Sequence, residues 1–177
     1  SLAMGYAYSK LFHYEQSNVP AAGCDQLGWF ALAPSTSLEV GRGYSGWMND
    51  GSTLTVAGAP NTGNIQYTTT CVSASGNAIV DGWHLVSNPY PSTLDVNAFI
   101  ADGFTSPTIY NGTSGPYYGS FFPAFLVGNI SSMQGLYVER SAGATDNNLD
   151  LTNADRVASS STAFLSTSTL FDQMLTI

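Results

Sequence analysis

Residues 82–95 read Gly-Trp-His-Leu-Val-Ser-Asn-Pro-Tyr-Pro-Ser-Thr-Leu-Asp, and this stretch gives the strongest indication of the fold. Its first half combines aromatic, β-branched and aliphatic residues in a short run, which is typical of a β-strand. Pro89 and Pro91 cannot donate a hydrogen bond to a neighbouring strand, so the strand must end before them. The Asn88 side chain can bond the nearby backbone and fix a corner. We therefore predict a strand over residues 83–87, followed by a corner whose role is structural.

A shorter version of the same pattern lies upstream. Segments 28–56 and 82–151 each open with Gly-Trp, continue to a Gly-to-Tyr step and close with a Leu-x-aliphatic step. We predict that they are superposable strand-turn-strand units, with a long insertion at about residues 96–134 confined to the second. In this interpretation Trp29 and Trp83 are equivalent core residues, because each follows a Gly and has an aliphatic residue two positions further on.

Three segments carry a resemblance to a known family. Gly-Arg-Gly-Tyr at 41–44, the stretch 82–91 and Gln-Gly-Leu-Tyr-Val at 134–138 occur in this order. They resemble the repeat-bearing β domains of very large surface and secreted proteins of Bacteroidetes, exported by the type IX secretion system. In that family a Gly-Lys-Gly-Tyr segment precedes Gly-Trp-Asn-Leu-(Val/Ile)-Gly-Asn-Pro-Tyr-Pro, and a Gln-Gly-Phe-aliphatic segment follows.

The resemblance spans roughly residues 14–160, with residues 152–157 similar to a recurring Asn-x-x-Arg-Val element. His84 and Ser87 depart from the pattern, standing where Asn and Gly are usual. The resemblance implies an extracellular or cell-surface β domain. It implies no reaction, because the family is defined by architecture.

Composition limits the classes of protein and partner. A chain of 177 residues with 44% hydrophobic content fits a single domain over residues 1–177. The net charge is −8 and the four Lys and Arg residues are scattered, which argues against nucleic acid and anionic membrane surfaces as partners. No apolar run approaches the roughly 20 residues of a transmembrane helix, and the N-terminus lacks the pattern of a signal peptide. We expect a fragment of a longer exported protein.

Short β-branched and aromatic runs, separated by Gly, Pro, Asn, Asp and Ser, predict an antiparallel β-sandwich. A helix is expected only at 94–101, with a cap at Ser92 or Thr93, Asp95 in its first turn and an end at Gly103. The predicted strands cover residues 6–14, 29–32, 43–49, 54–57, 65–70, 83–87, 108–110, 135–139 and 149–151.

Catalytic signals are weak, and we predict that the chain is not an enzyme. His13 and His84 are the only imidazoles, and neither lies in a nucleophile motif. Strand alternation separates His84 from Trp83 and predicts a surface or half-buried imidazole. Glycosidases need only two carboxylates, but Glu39 and Glu139 each lie near a Gly-to-Tyr step, which suits exposed strand ends better than an acid/base pair.

Two further kinds of site are considered. Asp146, Asn148 and Asp150 supply clustered oxygen ligands of the type that calcium prefers, and an Asn/Asp-rich turn is the favoured alternative. In an exported β domain Cys24 and Cys71 would form a disulfide, and two separately buried thiols are the alternative. No other cofactor is expected.

Aromatic side chains give the remaining functional signal. The Gly-rich segment 110–122 is predicted to form a loop that displays Tyr117 and Tyr118, while its Phe residues plug the core. With Trp47 and Tyr110, these rings suit contact with a carbohydrate or a protein partner.

The sequence therefore predicts a non-catalytic, adhesin-like structural module of a large extracellular or cell-surface protein, including the form in which copies assemble into a filament. Its partners would be other copies or other surface proteins. The alternative is a carbohydrate-binding module of an exported enzyme, with a polysaccharide as partner. The sequence leaves open the identity of the ligand and whether the chain assembles with itself.

Overall fold

A computed structural model describes residues 10–15, 28–33, 36–47, 58–69, 82–111, 120–123, 128–140 and 147–158. Strand and turn residues dominate this part of the chain, which contains one short α-helix and one 3-10 helix at Asn153–Asp155. The elements are β1 Lys10–Tyr14, β2 Trp29–Ala31, β3 Tyr44–Trp47, β4 Ile65–Thr68, β5 Trp83–Ser87, β6 Leu94–Asp95, α1 Asn97–Ala101, β7 Phe104–Asn111, β8 Ser120–Pro123, β9 Asn129–Ile130, β10 Gly135–Arg140 and β11 Asn148–Leu151.

The strands of the described residues form four antiparallel sheets. One has three strands in the order β2-β1-β3, one has four in the order β5-β10-β7-β8, and β4–β11 and β6–β9 are pairs. This architecture confirms the predicted all-β fold with one short helix. No helix among the described residues is long and apolar enough to span a membrane.

The main core lies on one face of the four-stranded sheet. Successive side chains of a strand point to opposite faces, so Leu136 and Val138 of β10 are buried in the core while Tyr137 and Glu139 point to the other side. The β4–β11 pair, α1 and β6 cover the core face. The core residues are Tyr67, Val86, Tyr90, Leu94, Val96, Ala98, Phe99, Phe104, Ile109, Ile130, Leu136, Val138, Leu149 and Leu151.

Residues 41–43 join the three-stranded sheet to the side of β5 opposite β10. The Gly43 amide donates to the Leu85 carbonyl at 3.0 Å, and the Ser87 amide donates to the Gly41 carbonyl at 3.0 Å. A Cβ on Gly43 would lie 2.6 Å from Leu85 Cγ and 2.6 Å from the Val86 oxygen, so only glycine permits this approach. The close approach accounts for the second glycine of the Gly-Arg-Gly-Tyr segment.

The two segments expected to superpose differ in their strand pairing. In the second, β5 pairs directly with β10. In the first, β2 and β3 do not pair with each other, because β1 lies between them and pairs with both. The prediction of superposable units is therefore wrong, since a strand from outside segment 28–56 completes the first sheet. The predicted strand at 54–57 lies outside the described residues.

The two tryptophans are also not equivalent core residues. Both are half-buried. Trp83 points away from the core because β5 directs His84 and Val86 into it. Trp29 contacts Tyr137 edge-on, with ring centroids 6.5 Å apart, on the side of the four-stranded sheet opposite the core.

The helix is shorter than predicted. Leu94 and Asp95 form strand β6, because they pair with Ile130 and Asn129. The helix starts at Asn97, whose backbone amide donates to Asp95 Oδ1 at 2.8 Å, so the Asp95 side chain satisfies an amide of the first turn. Gly103, with φ of +80°, follows the helix as predicted, and its amide donates to the Ile100 carbonyl.

Candidate functional site

The Asn-Pro-Tyr-Pro corner is a buried brace. Asn88 is fully buried, and its Nδ2 lies 2.8 Å from the Ser92 carbonyl, 3.1 Å from that of Ile130 and 3.0 Å from that of Ser131. Its Oδ1 accepts from the Tyr90 amide at 2.9 Å. Both ends of the amide are therefore used to hold two loops together, which agrees with the structural role expected for this motif.

The Tyr90 side chain extends the brace to two more segments. Its hydroxyl lies 2.6 Å from the Gly63 carbonyl and 2.9 Å from the Leu151 carbonyl, and its ring is fully buried. The Arg156 guanidinium lies 5.4 Å from the ring centroid and donates from Nε to Ser92 Oγ at 2.6 Å. Segments 82–91 and 152–157, both part of the resemblance, thus meet in one packed unit.

A second cluster lies on the outer face of the three-stranded sheet. His13 of β1 stands directly opposite Phe30 of β2 and Tyr44 of β3, which forms a row across three strands. The His13 and Phe30 rings are 5.7 Å apart between centroids, and Phe30 is 42% exposed. Tyr44 is buried, and its hydroxyl accepts from the Glu39 amide at 2.7 Å, which holds the segment before β3 against the sheet.

Charged side chains continue this row. Arg42 binds Glu15 through Nη2 and binds Glu39 Oε2 through Nη1 at 3.1 Å. His13 Nε2 lies 3.8 Å from Glu15 Oε1. The side chain of Glu39 is 55% exposed, and its neighbour Val40 is 38% exposed. We call the set formed by Phe30, His13, Glu15, Arg42 and Glu39, together with Val40 next to Glu39 in sequence, the contact patch.

Electrostatics fix the charge of the contact patch near neutral pH. Burial lowers the pKa of His13, and the nearby Arg42 guanidinium lowers it further, which favours the neutral imidazole. The two carboxylates then face one guanidinium, leaving a formal charge of −1. Within the described residues no hydrogen bond joins His13 to a Ser, Thr or Cys side chain.

The aromatic residues predicted to make contacts are not gathered in the described part of the chain. Trp47 lies in β3 opposite Lys10, in the three-stranded sheet. Tyr110 lies in β7 opposite Phe121, in the four-stranded sheet. Tyr117 and Tyr118 lie outside the described residues. The two rings whose strands are described therefore belong to different sheets.

The candidate calcium ligands are placed on a polar surface. Asn148 and Asp150 stand two residues apart on β11, so their side chains share a face. Asn148 Oδ1 accepts from Thr68 Oγ1 at 2.8 Å, and Asp150 Oδ1 accepts from Gln66 Nε2 at 2.7 Å. In the described ranges no three His, Cys, Asp or Glu side chains come together as a metal site. Asp146, Cys24 and Cys71 lie outside those ranges.

His84 lies inside the molecule, which corrects the prediction of a surface or half-buried imidazole. It is 7% exposed and shares the core face of β5 with Val86, opposite Val138. Burial lowers its pKa to about 4, and the Arg140 guanidinium contributes to the decrease. Within the described residues, its Nε2 has no hydrogen-bond partner.

Glu139 also differs from expectation. It lies inside β10, half-buried and opposite Trp83, whereas an exposed strand end was predicted. Glu39 does stand at an exposed position just before β3. The difference arises because Glu39 precedes its Gly-to-Tyr step and lies outside β3, whereas Glu139 follows its step and lies within β10.

Comparison of the chain with protein-family models, with curated proteins and with solved structures found no match. The site is therefore interpreted from its own residues. Sequence reasoning missed the contact patch because its members come from segments 13–15, 28–33 and 39–42, which only the register of β1 with β2 and β3 brings together. The available signal was His13 in the predicted strand 6–14 and Glu15 just beyond its end, since residues two apart share a face where the chain stays extended.

Proposed function

We propose that this chain is a non-catalytic structural or adhesive module of a large extracellular or cell-surface protein. The contact patch is the observation that carries the proposal. Exposed Phe30 packs against His13, whose Nε2 lies 3.8 Å from Glu15, and exposed Val40 follows Glu39 in sequence; Arg42 binds both carboxylates. Apolar side chains beside a charged rim are the usual components of a protein contact surface.

The placement of the other polar groups supports the same proposal. The Asn-Pro-Tyr-Pro corner uses the Asn88 amide and the Tyr90 hydroxyl in internal hydrogen bonds. Asp155 accepts from the backbone and hydroxyl of Thr152, and so serves as a cap. These groups stabilise the fold. Among the described residues, we therefore expect a partner to bind to exposed surface side chains.

Protein contact is favoured over carbohydrate binding for a geometric reason. A sugar-binding strip needs aromatic rings side by side on one surface. Trp47 and Tyr110 lie in strands of different sheets. The exposed ring of Phe30, in contrast, belongs to β2, an edge strand among the described strands of a sheet whose outer face also carries charge.

Binding to defined arrays tests the proposal. The labelled 177-residue chain is applied to an array of purified extracellular-matrix and bacterial surface proteins and, in parallel, to a glycan array. We expect binding to protein spots that falls about tenfold in Phe30→Ser, the loss typical of one anchoring aromatic residue. Ile100→Ser is the matched control, because Ile100 is 45% exposed on α1, outside the contact patch.

Two outcomes would contradict the proposal. Binding to glycans alone, unaffected by Phe30→Ser, would identify a carbohydrate-binding module. Turnover of a substrate by the purified chain, lost in Glu15→Gln, would identify an enzyme. Circular dichroism melting of each variant separates loss of binding from loss of folding.

A further inference from the structure

We infer that the contact patch recognises a basic segment of a partner protein, in which a Lys or Arg side chain stands beside an apolar one. The inference rests on the proposed function and specifies the partner's chemistry. It depends on the charge of the patch, on its exposed apolar residues and on the pairing of β2.

The negative charge of the contact patch favours a cationic side chain in the partner. Arg42 is the only basic group in it at neutral pH, and it contacts Glu15 Oε1 and Glu39 Oε2. The lowered pKa of His13 leaves that imidazole neutral. Because Glu39 is more than half exposed, its carboxylate can accept hydrogen bonds from an incoming Lys or Arg while it keeps its contact with Arg42.

The exposed apolar residues of the contact patch indicate that the partner also supplies an apolar side chain. Phe30 and Val40 are 42% and 38% exposed, so an apolar side chain beside the cation would bury surface that water now covers. Phe30 lies in β2, which pairs with β1 alone among the described strands. A segment that crosses the outer face from β2 toward β3 would contact Phe30 first and then the carboxylates of Glu15 and Glu39 around Arg42.

A second copy of the chain fits poorly as the partner. The chain has a net charge of −8 and four Lys and Arg residues. Three of them are already engaged: Arg42 in the patch, Arg140 over the Phe104 ring and Arg156 against Ser92 and Asn153. Two copies would meet with like charge, which favours a partner that is basic and different.

Selection from a random peptide library displayed on phage tests the inference. The biotinylated full chain is the bait, and selection is run in parallel on wild-type protein and on Glu39→Gln. We expect the wild-type protein to enrich peptides with a Lys or Arg adjacent to an aromatic or aliphatic residue. The Glu39→Gln chain should not enrich this pattern.

One enriched peptide is then synthesised and its binding is measured by fluorescence anisotropy. Glu39→Gln should weaken binding about two- to fivefold, as for an exposed ion pair, and Phe30→Ser about tenfold. Asp150→Asn is the matched control, because it removes the same charge from an exposed position on β11 and should leave affinity unchanged. Added salt should weaken binding to the wild-type chain more than to Glu39→Gln.

Several results would overturn the inference. These are enrichment of acidic or uncharged peptides, no enrichment at all, equal affinity for wild-type and Glu39→Gln chains, or self-association in sedimentation equilibrium that Glu39→Gln abolishes. If any of them occurs while Phe30→Ser still weakens binding to the protein array, the inference fails and the proposed function stands. If Phe30→Ser also leaves binding to the protein array unchanged, both the inference and the proposed function fail.

Discussion

Acid should destabilise this protein through His84. The pKa of this imidazole is about 4 in the folded chain, against 6.5 for an ordinary histidine, because burial disfavours the charged form and Arg140 adds like charge. Above pH 6.5 the side chain is neutral in both states and has no effect on the free energy of unfolding. Between pH 6.5 and 4 the unfolded chain binds a proton that the folded chain does not, so stability falls as the pH falls.

The size of the effect follows from the two pKa values. Each unit of pKa difference is worth about 1.4 kcal/mol, so the gap between 6.5 and about 4 amounts to about 3 kcal/mol once the pH is below 4. About 2 kcal/mol of this loss is complete by pH 5. Domains are typically stable by only about 5 to 15 kcal/mol, so the loss is readily measured.

Urea unfolding, followed by tryptophan fluorescence at several pH values, measures this loss. His84→Leu removes the titrating group, so the difference in pH dependence between the two proteins isolates it from the carboxylates. His13→Gln is the matched control, because His13 is only partly buried beside Glu15 and should contribute less. Equal pH dependence in wild-type and His84→Leu proteins, or a His84 imidazole that titrates near pH 6.5 by NMR in the folded chain, would refute the reasoning.

Four further predictions concern the brace and two glycines with positive φ. Asn88→Ala should lower the free energy of unfolding by about 3 kcal/mol, since it leaves buried carbonyls without their donor. Tyr90→Phe should lower it by about 1 to 2 kcal/mol, and an unchanged urea midpoint would contradict the role of the hydroxyl. Gly82→Ala should lower it by about 3 kcal/mol or more, because a Cβ there would collide with the Arg140 carbonyl at a φ of +81°. Gly128→Ala, with similar φ and no atom of the described residues within 4 Å of the added Cβ, should cost only about 1 to 2 kcal/mol.

Local sequence predicted the strands that are bounded by strong turn signals. Strand β5 has the predicted bounds because Gly82 precedes it and Asn88-Pro89 follows it. Strands β6 and β9 were not predicted, because two residues carry no periodic pattern and only the pairing of Leu94 with Ile130 makes them extended. The same pairing explains why the first residues of the predicted helix, Leu94 and Asp95, form a strand instead.

The direction of each strand face was harder to predict than the strand itself. Alternation correctly separated His84 from Trp83, but a period of two does not say which face enters the core. We predicted that Trp83 enters the core. In the structure β4, β11 and α1 cover the opposite face of β5, which carries His84 and Val86. Predicting the contact patch would also require the register of three strands. That register depends on long-range pairing rather than on the local sequence pattern.

The brace around Tyr90 also constrains the order in which the chain can fold. Asn88 and Tyr90 bond to groups 42, 43 and 61 residues further along the sequence, and Arg156 reaches back 64 residues to Ser92. Forming such distant contacts requires closing long loops, and the entropy of loop closure is lost before the contacts stabilise the fold. These contacts therefore form late and lower the folding rate. A chain emerging residue by residue from a ribosome or a pore therefore cannot complete its corner until residue 156 is free. Until residues 151–156 emerge, Tyr90, the largest fully buried side chain among the described residues, lacks the Leu151 carbonyl at its hydroxyl and the Arg156 guanidinium over its ring.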